Sequence, residues 1–141
     1  MRYLLDTPVI SELVRPRPNA RVTEWVRRAE PAALYLSVVT FGELAKGIEK
    51  LSDGARRRQL LAWVERELKS WFAGRVLPID LEVAERWGLI LARAETGGRT
   101  LPAVDALLAA TALTHGLVLV TRNTRHFRVA GLEVFDPWIE A

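Results

Sequence analysis

Short apolar runs alternate with longer stretches of helical periodicity along this 141-residue chain. Residues 2–5 read as a buried strand. A helix starts near Thr7, and Pro8 suits its opening, where a missing N–H is harmless. Pro16 and Pro18 end it. Asn19 is placed to cap the next helix, 20–30, whose Val22, Trp25, Val26 and Ala29 share a face. Residues 34–36 form a second strand candidate, and a helix over 38–51 follows until Ser52-Asp53-Gly54 breaks it. Over 55–72, Leu60, Leu61, Val64, Leu68 and Trp71 recur at helical spacing against Arg56, Arg57, Arg58, Glu65 and Lys69, which predicts one amphipathic helix. Residues 76–77 are a third strand candidate. Asp80 then caps a helix to about 95, and 96–100 form a loop. The nearly all-apolar stretch 102–114 predicts a buried helix stopped by Gly116. Strands follow at 117–120 and 133–135.

Strands that alternate with helices imply an α/β sandwich with a mainly parallel sheet. No repeat, low-complexity tract or linker interrupts the pattern, so a single domain over 1–141 is expected, large enough to bury a core without staples. Half the residues are hydrophobic, which is a globular composition. There is no cysteine, so disulfide frameworks and thiolate metal sites are excluded, and a reducing compartment suits the chain. The start, MRYLLDTPVI, lacks the basic and apolar regions of a signal peptide. The longest apolar stretch, 101–120, is interrupted by Asp105, Thr111, Thr114, His115 and Gly116, so no membrane span is expected and the cytoplasm is the expected location. Net charge is +3 with a pI near 9.8. Arginine forks match phosphate geometry, so this balance admits an RNA or DNA partner; on charge alone a solvated surface is the better account.

Four polar positions stand out against the apolar pattern. Asp6 and Asn123 follow the first and fourth strands, Glu43 lies early in the helix after the second, and Asp105 lies in the first turn of the apolar helix. In an open parallel sheet, ligands bind at the carboxyl ends of the strands, and this element order lets all four face one edge. Each has an ordinary explanation too. Asp6 suits a helix cap, Thr40 and Glu43 match a T-x-x-E capping box, Asp105 complements a helix dipole, and Asn123 suits a turn. Together, three carboxylates in apolar sequence repel one another, and a hard cation such as Mg²⁺ or Mn²⁺ resolves that repulsion. The chain has only two histidines, His115 and His126, which argues against zinc.

The blocks LLDTPVISEL, TFGELAKGIEKL, LPIDLEVAERWG, LPAVDALLAATAL, LVTRNTRHF and VFDPW, in this order and spacing, resemble the VapC-like toxins of the PIN-domain family over nearly the whole chain. The resemblance implies a PIN-like three-layer α/β/α sandwich with short strands. It implies a metal-dependent endoribonuclease, the toxin of a type II toxin–antitoxin pair, acting on tRNA or rRNA with Mg²⁺ or Mn²⁺. A cognate antitoxin and a homodimer are the implied protein partners; the helices around 20–30 and 38–72 suit the antitoxin groove. Carried over by position, Asp6, Glu43 and Asp105 are the metal-binding acids, and Asn123 is a neutral fourth member of the catalytic set. Thr7, Thr121, Arg122 and Arg125 are supporting or substrate-contact candidates, and Arg15 and Arg17 are similar candidates for the substrate backbone.

Two departures stand out. Pro8 occupies a place where the family usually has Asn, and Asn123 one where it often has Asp. His126, where the family is often acidic, is a candidate base, whereas His115 suits a helix C-terminus. Trp25, Trp63, Trp71 and Trp87 lie at core spacing and are expected to pack rather than stack on bases. A catalytically impaired RNA- or protein-binding module is the competing reading. An aspartyl-nucleophile phosphatase would need a second Asp at position 8, and a nucleotide-binding Rossmann module would need a glycine fingerprint that the chain lacks.

Overall fold

The computed structural model describes residues 1–139. Five strands, Tyr3–Leu5 (β1), Leu34–Ser37 (β2), Val76–Leu77 (β3), Val118–Val120 (β4) and Val134–Phe135 (β5), form one sheet in the order β3-β2-β1-β4-β5. Every neighbouring pair is parallel. The helices are Thr7–Leu13 (α1), Ala20–Arg28 (α2), Val38–Glu49 (α3), Ala55–Trp63 (α4), Lys69–Trp71 (α5), Leu81–Thr96 (α6) and Ala103–His115 (α7). No described helix is long and apolar enough to cross a membrane.

Side chains alternate across a strand, so adjacent apolar residues in β1 and β4 serve opposite faces. Leu5 and Val120 pack with Val9, Ile10, Val22 and Phe72 from α1, α2 and the end of the α4–α5 arm. Leu4 and Leu119 pack with Val83, Ile90, Leu108 and Ala112 from α6 and α7. Two cores on two sheet faces make the expected α/β/α sandwich, and strands buried on both sides read as continuous apolar runs. Trp25, Trp63, Trp71 and Trp87 pack against these cores as expected.

Asn19 and Asp80 cap α2 and α6 through their side chains. Gly116 ends α7 at φ 64°, a left-handed turn that a β-carbon resists. His115 closes α7, and its Nε2 is buried without a hydrogen-bond partner among the described residues. Two expectations fail. The predicted continuous helix over 55–72 contains a π-helical segment, Val64–Leu68, between α4 and α5. Its ends, Val64 and Leu68, are both buried. The capping box at Thr40 and Glu43 is also absent. Ser37 caps α3 by accepting the Val39 N–H at 3.1 Å, which leaves Thr40 inside the helix.

Candidate active site

Register builds the centre of the site. Leu5 pairs with Val120 across β1 and β4, so the next residues, Asp6 and Thr121, emerge side by side at the carboxyl edge. The Asp6 N–H donates to the Val120 carbonyl at 2.9 Å. Asp6 is the N-cap of α1, its Oδ1 accepting the Thr7 N–H at 2.9 Å. Its Oδ2 accepts the Thr121 hydroxyl at 2.8 Å in a fully buried contact. Asp6 therefore caps α1 through one oxygen, which is compatible with a site role for the carboxylate.

Glu43 arrives from the other neighbour of β1. It lies in the second turn of α3, which starts directly after β2. Thr7 Oγ1 donates to Glu43 Oε1 at 2.5 Å and lies 3.3 Å from Thr40 Oγ1. Thr40 and Glu43 stand three residues apart on one helix face, so both reach Thr7. Thr40 is wholly buried. Since Thr7 spends its single proton on Glu43, Thr40 donates to Thr7, giving an ordered chain of hydroxyls.

Asp105 is the third residue of α7, in a helix whose Ala106, Leu108, Ala109, Ala110, Thr111 and Ala112 are all buried. Its Oδ2 lies 3.3 Å from His126 Nδ1. Burial is the main cause that pushes the Asp6 carboxyl up to about 6, with the charges of Asp105 and Glu43 adding to it. The hydrogen bonds from Thr121 and Thr7 oppose the rise. Asp6 thus feels both other acids.

The predicted supporting residues divide. Thr7 and Thr121 make the contacts above, and the Asn123 N–H donates to Thr121 Oγ1 at 3.0 Å. Asn123 itself, with Arg122 and Arg125, is exposed. Arg122 rests on Trp138, its guanidinium carbon 5.2 Å from the ring centroid. Arg15 is exposed and pairs with Glu12, and Arg17 is exposed. Pro8 is the second residue of α1, where its missing N–H leaves no intrahelical bond unmade.

Two residues escaped sequence reasoning. The sequence suits Thr40 to a capping box, although its three-residue spacing from Glu43 equally signals a shared helix face. Asp136, 6% exposed, follows β5 as Asp6 follows β1, and its Oδ1 accepts the Trp138 N–H at 2.8 Å.

Among the described residues, no three His, Cys, Asp or Glu side chains converge into a preformed metal cage. Like charges resist such convergence, and Glu43 is held on Thr7. The donor chemistry nevertheless fits a hard divalent cation: carboxylates and hydroxyls, without thiolate.

An α/β/α domain with acids gathered at the carboxyl edge of a parallel sheet is the class that fold and site define. The PIN domain profile matches residues 3–132. The toxin FitB of Neisseria gonorrhoeae is 42% identical over 135 residues, covering 96% of this chain and 97% of that one. The VapC ribonuclease Y4jK of Sinorhizobium fredii is 38% identical, covering 96% of each. The crystal structure of FitAcB from Neisseria gonorrhoeae superposes with a TM-score of 0.92 at 40% identity, over 98% of this chain and 99% of that one. The chain belongs to the PIN domain family.

Proposed function

We propose that this protein is a divalent-metal-dependent endoribonuclease and the toxin of a toxin–antitoxin pair. The carrying observation is that Asp6, buried at the sheet edge and hydrogen-bonded to Thr121, has its carboxyl pushed up mainly by burial and further by the charges of Asp105 and Glu43 from two other elements. Relatives with this fold include a toxin and a ribonuclease by name, and a toxin–antitoxin complex. The cognate antitoxin of this chain is its proposed regulator, and tRNA or rRNA its proposed substrate.

Asp6, Glu43 and Asp105 would hold Mg²⁺ or Mn²⁺. Bound there, the ion would supply Lewis acidity toward a water and a phosphate oxygen. The Thr121 hydroxyl and the Thr7 N–H favour the ionised form of Asp6, and the Thr7 hydroxyl orients Glu43. Asn123 offers a neutral amide at the mouth, and Arg122 and Arg125 offer cations to the RNA backbone.

Purified chain with Mg²⁺ or Mn²⁺ should cleave RNA, and a chelator or Glu43→Gln should stop it. Equal cleavage by Glu43→Gln, or none with either metal, would refute the proposal. The second outcome would favour an impaired binding module, the reading that Pro8 and Asn123 suggest.

Two smaller effects follow. Arg122→Ala should raise KM about threefold to tenfold and flatten the salt dependence of cleavage, with kcat little changed. Thr40→Val should lower kcat about tenfold by leaving Thr7 without its donor, while Thr40→Ser should restore it. Steady-state kinetics at two salt concentrations reads both.

A further inference from the structure

Among the described residues, Arg2 lies over the Tyr35 ring, Arg75 over Phe72 and Arg122 over Trp138. The first two also donate to backbone carbonyls, Arg2 to His115 and Arg75 to Pro31, Leu34 and Trp71. Those contacts tie the fold together. The Arg122 side chain differs: it makes no hydrogen bond or ion pair among the described residues. A ring engages the flat face of a guanidinium, whereas the N–H donors lie in its plane. Arg122 is therefore held without spending the fork that matches a phosphate.

The segment after β5 builds this hold. Val120 pairs with Phe135, and the Thr121 N–H donates to the Phe135 carbonyl at 2.9 Å, so Arg122 and Asp136 leave the sheet at the same edge. Asp136 is buried, and its Oδ1 accepts the Trp138 N–H at 2.8 Å. Pro137 between them fixes one dihedral of the turn. Trp138 is half-buried and packs against the core that contains Leu5 and Val120. Beyond it, the Arg21 guanidinium donates to the Ile139 carbonyl at 3.2 Å. The ring is thus fixed on either side along the chain, while Arg122 is exposed. Arg125, also exposed, lies over no ring among the described residues.

Arg122 directly follows Thr121, whose hydroxyl donates to Asp6. We propose that Trp138 is a positioning residue for RNA binding: its ring holds the Arg122 guanidinium beside the acidic edge, with the donors free for a backbone phosphate. A long side chain gives up rotamer freedom when it binds, and one already held gives up less. The role rests on reading this edge as an RNA site, not on cleavage there.

Fluorescence anisotropy of a labelled RNA stem-loop tests it, in Ca²⁺ to occupy oxygen ligands, with hydrolysis read separately in Mg²⁺ or Mn²⁺. Trp138→Leu should weaken binding about threefold and Arg122→Ala about fivefold. The double variant should bind no more weakly than Arg122→Ala, because Trp138 acts only through Arg122. Trp138→Phe keeps a ring and should stay within about twofold of wild type. Arg122→Lys keeps the charge without the flat face, at an exposed position that leaves folding alone, and should bind about threefold more weakly. Losses that multiply to about 15-fold in the double variant would overturn the role, making Trp138 a surface that acts without Arg122. Trp138→Leu or Arg122→Lys binding as tightly as wild type, or a wild type that binds no RNA, would also overturn it. A chain that binds in the expected pattern but hydrolyses no RNA would support the positioning role while refuting the nuclease reading.

Discussion

Asp6→Asn is expected to lower RNA cleavage at least about 10³-fold, a loss of roughly 4 kcal/mol of transition-state stabilisation, while making the protein more stable at alkaline pH. The two effects have one cause. Burial raises the Asp6 carboxyl from 3.8 to about 6, so folding must hold a charge that the interior disfavours. Between those values the folded state binds the extra proton, and stability falls as pH rises. Above pH 6 the full penalty applies, on the order of 3 kcal/mol for the ionised group. Asparagine removes the charge but weakens the hydrogen bonds from Thr121 and Thr7, leaving a net gain of about 1 kcal/mol at pH 8. Thermal melts of both chains at pH 4 and pH 8 check this. The variant's advantage should be present at pH 8 and gone at pH 4.

Thr121→Val has the second-largest expected effect, and its sign on stability is opposite. The substitution keeps shape but removes the hydroxyl that donates to Asp6 Oδ2 and accepts the Asn123 N–H. A buried carboxylate oxygen and a backbone donor both lose their partner, at a cost of about 2–3 kcal/mol in stability. That hydrogen bond now holds the Asp6 pKa down, so its loss should raise it further. The acid limb of the pH–rate profile should therefore move to higher pH, with cleavage near neutrality falling by about tenfold or more. Thr121→Ser, which keeps the hydroxyl, should restore both stability and profile. A profile that moves to lower pH would contradict this role.

The candidate acids are legible in the sequence because each breaks a strong local pattern. Asp6 interrupts an apolar run where a strand must end, and Asp105 is the lone carboxylate in a helix that is otherwise nearly all apolar. The order of strands then placed them at one edge. Less visible were residues whose roles depend on contacts between elements. LYLSVVT offers two hydroxyls as helix cap, and sequence spacing favoured Thr40 with Glu43 over Ser37. Only the end of β2 at Ser37 decides between them. The π-helical segment was hidden because Val64 and Leu68 satisfy α-helical spacing too. Glu12 looked like an ordinary helix acid, yet it is buried and accepts the Asn19 N–H at 2.8 Å, closing the turn between α1 and α2. Nothing local announces a contact made seven residues away across two prolines.

The proposal that Asp6, Glu43 and Asp105 act as one metal site is tested most directly by calorimetric titration of Mn²⁺ into the purified chain. Wild type should bind at pH 7.5, with affinity declining below about pH 6 as Asp6 takes up a proton. Asp6→Asn, Glu43→Gln and Asp105→Asn should each weaken binding at least about tenfold. No binding to wild type, or binding that all three variants retain unchanged, would contradict it.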